Sequence, residues 1–130
     1  WHFGVQHPRE PELVVAVGDV GLAALATSGD YEQTFESDGQ RYHHLLDPET
    51  GMPARRTVSA TVWAPSALAA DGLATAAFVA GPRQALQWAA SDDSMEVLIY
   101  YESDGVLKRA LSEGLTGRID AARDSPAHTP

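Results

Sequence analysis

The sequence predicts an α+β fold, a mainly antiparallel sheet with two helices packed on one face. Three observations carry this expectation. Short apolar and β-branched runs recur on both sides of the chain's centre, each bounded by Gly, Asp or Pro. Two of the intervening dipeptides are Asp38-Gly39 and Asp104-Gly105, the chemistry of a two-residue hairpin loop. The helix-forming residues are gathered into one central block, so strands and helices do not alternate as they would in a βαβ array.

Taken in order, Trp1 to Val5 reads as a strand, with His7-Pro8-Arg9-Glu10-Pro11 as the loop after it. Leu13 to Val17 is a β-branched run that Gly18-Asp19 ends, and Leu22 to Thr27 is a third strand closed by the polar turn Ser28-Gly29-Asp30. Tyr31, Gln33 and Phe35 alternate with Glu32, Thr34 and Glu36, which suits a half-exposed strand. After Asp38-Gly39, Arg41 to Leu46 returns, and Asp47-Pro48-Glu49-Thr50-Gly51 makes a turn in which proline presets φ and glycine closes. Thr57 to Ala64 is the next strand. Ser66 is placed to N-cap a helix from Ala67 to Ala80, and Gly81-Pro82 supplies its stop. A second helix is expected over Arg83 to Ala90, then a hairpin of Glu96 to Glu102 with Val106 to Leu111. The small, polar, proline-containing segment 122–130 is expected to be disordered, which leaves 1–121 as a single domain.

The bulk properties exclude several classes. At 130 residues the chain is long enough to bury a core, and no apolar run approaches the length of a membrane-spanning helix. A formal charge of −9 argues against a nucleic-acid partner, which requires a basic footprint. It also means that a polyphosphate ligand needs a metal ion or local positive groups. The absence of cysteine removes disulfides, thiolate nucleophiles and zinc–cysteine sites. Because the chain starts at Trp1 without an initiator methionine, it reads as a piece of a longer protein. No phosphate-loop, zinc-protease or nucleophile-elbow spacing is present.

Two patterns carry chemistry. Asp71 and Thr75 are four residues apart on the first predicted helix, hence on one face, with Cβ atoms about 5–6 Å apart. A carboxylate and a hydroxyl so placed can reach one hard cation, and Mg²⁺ favours few protein oxygens with water and phosphate in its other positions. The plainer reading puts Asp71 in solvent near the positive end of the helix. Against it, Ala69, Ala70, Leu73, Ala74, Ala76, Ala77 and Phe78 make the helix apolar almost all round, which predicts burial and therefore a partner for the carboxylate. The second pattern is Tyr42-His43-His44-Leu45-Leu46-Asp47-Pro48-Glu49-Thr50-Gly51. Adjacent histidines on a strand face opposite ways, so one of His43 and His44 is expected inside and the other outside. Asp47 is either a site carboxylate or a turn-forming acceptor. Ser28-Gly29-Asp30 could offer backbone N–H groups to a phosphate, or be an ordinary connection.

Taken together, Ala26-Thr27-Ser28-Gly29-Asp30-Tyr31, Asp38-Gly39, the 42–51 segment, Ala64-Pro65-Ser66-Ala67 and Ala70-Asp71-Gly72-Leu73-Ala74-Thr75-Ala76-Ala77-Phe78-Val79 resemble the C-terminal half of the ApbE family of flavin transferases, from Trp1 to about Leu111. The resemblance implies an ApbE-like fold and a Mg²⁺-dependent enzyme. Such an enzyme moves FMN from FAD to a threonine of a target flavoprotein and releases AMP. FAD hydrolysis to FMN and AMP, or flavin-nucleotide binding without catalysis, are the alternatives. By the same resemblance Asp71 and Thr75 are magnesium ligands, and His44 and Asp47 belong to the active-site turn with Thr50 and Gly51. Ser28, Gly29 and Asp30 form a neighbouring cofactor-binding loop. His44 is the favoured base for the acceptor hydroxyl, because imidazole titrates near neutral pH, with Asp47 as its competitor. Family members are often periplasmic or membrane-anchored, and self-association is possible for a chain with exposed core surface. Gly72 departs from the family's usual alanine, and the family's N-terminal half is not in the sequence.

Overall fold

A computed structural model describes residues 2–19 and 23–121. The expected disorder of 122–130, the start of the first strand at Trp1 and the start of the third at Leu22 lie outside the described residues. The chain forms β1 (His2–Gln6), β2 (Val14–Asp19), β3 (Ala24–Gly29), β4 (Thr34–Ser37), β5 (Gln40–His43), β6 (Ser59–Ala64), α1 (Ala67–Ala80), α2 (Pro82–Ser91), β7 (Glu96–Ser103), β8 (Val106–Leu111), one 3₁₀ turn at Glu113–Leu115, and β9 (Ile119–Ala121).

The central layer is a four-stranded antiparallel sheet in the order β3-β6-β7-β8. Alternation along its strands sorts side chains onto two faces. Ala60, Val62 and Ala64 of β6, with Val97 and Ile99 of β7, meet Ala70, Ala74, Ala77 and Phe78 of α1 and Ala85 of α2. Trp63, Leu98 and Tyr100 point the other way, onto Val5 and Ala16 of a three-stranded sheet ordered β1-β2-β9. Both helices therefore cover one face, as expected, while a second sheet covers the other. Phe3 packs edge-on against Trp63, with ring centroids 5.2 Å apart, where the sheets meet. β4 and β5 form a separate two-stranded ribbon whose exposed side holds a stacked pair, Phe35 on Tyr42.

Local chemistry sets the element ends. Asp38-Gly39 and Asp104-Gly105 have positive φ at both residues, the twist-matched loop that their sequence predicts. The Ser66 side chain accepts the Ala69 N–H at 3.2 Å and opens α1. Gly81 closes α1 by donating its N–H to the Ala77 carbonyl at 3.0 Å, and it also precedes α2, with Pro82 as the first helical residue.

Several expectations need correction. The strand proposed for 31–36 starts at Thr34, because Gln33 turns the chain with φ 41°. The strand proposed for Arg41 to Leu46 ends at His43; Leu45 and Leu46 instead pair with Ala54 and Pro53 to close a loop. Ser28 and Gly29 are not in a turn but are the last two residues of β3, opposite Ala60 and Ser59. The short β9 and the 3₁₀ turn were not foreseen. Among the described residues, no helix is long and apolar enough to cross a membrane.

Candidate functional site

α1 is not buried all round, contrary to the expectation from its composition. One side packs on β3 and β6, while Ala67, Leu68, Asp71, Gly72 and Thr75 are exposed, Leu68 to 86%. Alanine-rich sequence permits burial but does not compel it, since a sheet covers only the helix face laid on it. Asp71 is thus a solvent-facing carboxylate, and it has no hydrogen bond or ion pair among the described residues. One turn on, the Thr75 hydroxyl lies 3.1 Å from the Ser28 hydroxyl. Ser28 gets there by strand alternation: Ala24 and Ala26 face the helices, and Ser28 continues that side of β3. Asp71, Thr75 and Ser28 together present hard oxygen donors on one open surface.

The rest of the Ser28-Gly29-Asp30 segment does not form a free backbone nest. Asp30 donates its N–H to the Val58 carbonyl at 3.0 Å. Its carboxylate faces two arginines: Arg9, with Nη2 at 2.8 Å from Oδ2, and Arg41, with Nη2 at 3.7 Å from Oδ1. The hydrogen bond to Asp30 raises the pKa of the Arg9 guanidinium, burial opposes it, and Glu102 adds to the rise. Gly29 is covered by Tyr31: a Cβ at residue 29 would lie 2.5 Å from the tyrosine ring. Burial raises the pKa of that tyrosine. Glycine at 29 is thus a packing requirement of the Tyr31 ring.

The paired histidines divide as strand geometry requires. His43 is inside, its Nε2 3.0 Å from the Ala54 carbonyl and its ring edge-on to Phe78 at 5.6 Å. Burial lowers its pKa, only partly offset by the Ala54 hydrogen bond. His44 is exposed and makes no hydrogen bond among the described residues. Beyond it, Asp47 shapes the turn: Oδ1 accepts the Glu49 N–H at 2.9 Å, and the main-chain carbonyl accepts the Gly51 N–H at 2.8 Å. Thr50 Oγ1 accepts the Met52 N–H at 3.2 Å, and Gly51 takes φ 69°. Asp47 and Thr50 are therefore already engaged in holding the loop, whereas His44 is uncommitted.

Of the expected site residues, the fold joins Ser28 to Thr75 by a hydrogen bond and sets Asp71 on the same helix as Thr75. Beside the 44–51 turn, His43 packs on Phe78 of α1, and Leu45 within the turn joins the helix-side core. No hydrogen bond links His44 or Asp47 to Asp71 or Thr75 among the described residues. Sequence reasoning did not anticipate the Arg9–Asp30–Arg41 cluster. Its only local sign was Arg9 standing inside the Pro8–Pro11 loop.

Known proteins resemble this chain in sequence and in fold. The model of the ApbE family matches residues 1–99. The chain is 48% identical over 86 residues to the FAD:protein FMN transferase of Treponema pallidum, covering 62% of the chain and 23% of that protein. It is 38% identical over 117 residues to the Vibrio cholerae enzyme of the same name, covering 86% of the chain and 34% of that protein. Among solved structures, the ApbE protein of Thermotoga maritima superposes with a TM-score of 0.77 at 40% identity, over 91% of this chain and 38% of that one. The flavin transferase ApbE of Vibrio cholerae gives 0.76 at 34% identity, over 91% and 37%. The chain thus spans between about a quarter and two-fifths of the length of these proteins.

Proposed function

Because the chain belongs to the ApbE family, we propose that it carries part of the active site of a Mg²⁺-dependent transfer of FMN from FAD to a threonine hydroxyl of a target flavoprotein, with release of AMP. The observation that carries the reading is the open oxygen surface of α1: an Asp71 carboxylate with no partner among the described residues, one turn from Thr75, whose hydroxyl meets Ser28.

These residues fit a magnesium ion. The described residues contain no group of three or more His, Cys, Asp or Glu that could hold a metal. A sparse set of one carboxylate and one or two hydroxyls suits a cation that keeps water and substrate phosphate in its remaining positions. Bound Mg²⁺ supplies positive charge to the pyrophosphate oxygens during transfer. Asp71 and Thr75 hold and orient it, and Ser28 fixes the Thr75 hydroxyl.

In the transfer, the acceptor threonine oxygen forms a bond to the FMN-side phosphorus, and the bond from that phosphorus to the bridging oxygen breaks. AMP leaves with the bridging oxygen. The threonine proton passes to His44, which is exposed and uncommitted. Asp47 acts as a positioning residue, because one of its oxygens already holds the turn. Gly51 and Thr50 complete that turn, and Gly29 with Asp30 support the β3 end on which Ser28 sits.

The test is AMP release from FAD, measured with and without Mg²⁺ and with and without a threonine-bearing acceptor peptide, for this chain and for a relative of full length. Release that needs both additions supports transfer, and release without acceptor means hydrolysis. Loss of an outer-shell partner alone lowers metal affinity about 10–100-fold, so Asp71→Asn is expected to weaken the apparent Mg²⁺ affinity by at least that much. An unchanged Mg²⁺ dependence in Asp71→Asn removes Asp71 from the site. Unchanged turnover and pH profile in His44→Ala remove His44 as the base.

A further inference from the structure

The end of β3 holds more positive charge than it offers to a ligand. A cavity of about 230 Å³ there is lined by Arg9, Arg41 and Arg55, together with Asp30 and Glu102. Arg9 is paired with Asp30 and Glu102, and Arg41 lies against Asp30 as well, so two of the three guanidinium groups are spent within the fold. On a chain of formal charge −9, a pyrophosphate therefore finds little neutralisation from side chains at this strand. What the α1 side of β3 presents instead is a pair of hydroxyls, Ser28 Oγ and Thr75 Oγ1, 3.1 Å apart. Thr75 is exposed and Ser28 is half-buried, so the pair is open to a ligand.

Each hydroxyl carries one proton and two acceptor lone pairs, so in the free pair either oxygen can be the donor. Ligation removes that freedom. When Thr75 Oγ1 gives a lone pair to a cation, its proton has to point elsewhere, and Ser28 Oγ is the partner of that hydroxyl among the described residues. Thr75 then donates and Ser28 accepts. The Ser28 proton is turned away from Thr75, and no protein group accepts it among the described residues. It becomes a free donor beside the positions that phosphate oxygens take in a magnesium shell. β3 also carries an internal comparison: Thr27 meets Thr61 at 2.8 Å, but strand alternation puts that hydroxyl pair on the face away from α1.

We propose that Ser28 contacts the substrate: ligation at Thr75 fixes the Ser28 hydroxyl as a donor, and Ser28 gives that hydrogen bond to a non-bridging oxygen of the FAD pyrophosphate. The inference rests on the magnesium reading of Asp71 and Thr75, and goes beyond it by assigning Ser28 to the substrate as well as to Thr75. No proton is transferred; the hydrogen bond orients the phosphate and adds a neutral donor where the arginines are already spent. The arrangement also couples the two ligands. A cation on Thr75 favours phosphate through the Ser28 donor in addition to its charge, and phosphate favours the cation by the same factor.

The experiment is equilibrium dialysis of inorganic pyrophosphate against the full chain, in saturating Mg²⁺ or in chelator, a readout that needs no turnover. The parent is expected to bind pyrophosphate in a Mg²⁺-dependent way. Ser28→Ala should weaken binding in Mg²⁺ by about tenfold, the equivalent of one hydrogen bond to a charged group. In chelator the same substitution should change binding little. Thr27→Val, which removes the hydroxyl pair on the other face, should bind pyrophosphate in Mg²⁺ as the parent does. Urea midpoints of the metal-free variants report whether each is as well folded as the parent. A Ser28→Ala curve that overlays the parent in Mg²⁺ overturns the proposal. So does a loss of equal size with and without Mg²⁺, or one that Thr27→Val matches, since either marks Ser28 as structural. These outcomes leave the Mg²⁺-dependent binding of the parent in place. A parent that binds no pyrophosphate in Mg²⁺ sinks the magnesium reading itself, and the role of Ser28 with it.

Discussion

His43 shows how a single side chain ties this fold to pH. Its ring is held neutral by burial, so the folded state binds its proton less readily than the unfolded chain, whose histidine titrates near 6.5. The unfolded state then carries more protons below that value, and stability rises with pH through the interval. The contribution is complete above about 6.5 and is lost as pH falls toward the lower folded value. Urea midpoints should accordingly drop between about pH 7.5 and about pH 5.5, and His43→Gln should flatten that part of the slope. Equal slopes for parent and variant would show that His43 is not responsible. Alternation alone made it legible that one of the two histidines is buried. Which one was not legible, because the answer depends on Phe78 and Ala54, residues brought in by the helix and by the closing of the 45–54 loop.

Helix α1 was the most readable element, since its punctuation is local. Ser66 caps it and Gly81 stops it, both as the sequence predicts. Ser66→Ala should cost about 1 kcal/mol of unfolding free energy. Gly72 lies on the exposed face, and the place a Cβ would take there has no other atom within 4 Å, so Gly72→Ala gains helix propensity without a clash. It should raise stability by up to about 1 kcal/mol, and a denaturant midpoint that fails to rise would refute the argument. The face that α1 buries was misread for a different reason. Alanines lower the cost of burial on every side, and only the position of β3 and β6 decides which side is used. The strands were readable where an Asp-Gly loop fixed the register. They were displaced where a non-glycine residue, Gln33, took the left-handed turn.

Over the whole molecule, one sheet serves two cores. Residues of β6 and β7 alternate between the helix side and the β1-β2-β9 side, so neither core survives loss of the central strands. Trp63 reports on one side and Trp88 on the other. Unfolding followed by tryptophan fluorescence in Trp63→Phe and Trp88→Phe backgrounds should give coincident transitions, also coincident with far-ultraviolet dichroism. Two separated transitions would mean that the layers are independent. The α+β layering was visible in the order of the elements. The second sheet was not, because β9 joins β2 across about a hundred residues and its three-residue length leaves no pattern to detect. The arginine-lined cavity was hidden for the same reason, being assembled from Arg9, Arg41 and Arg55 on three separate segments. The β4–β5 ribbon lies outside both layers. Two strands alone are marginal in water, so its amides should exchange with deuterium far sooner than those of β6 and β7, as a local opening that leaves both cores intact. Because β5 carries Arg41 and ends at His43, each such opening also displaces part of one wall of the arginine-lined cavity and loosens the ion pair between Arg41 and Asp30.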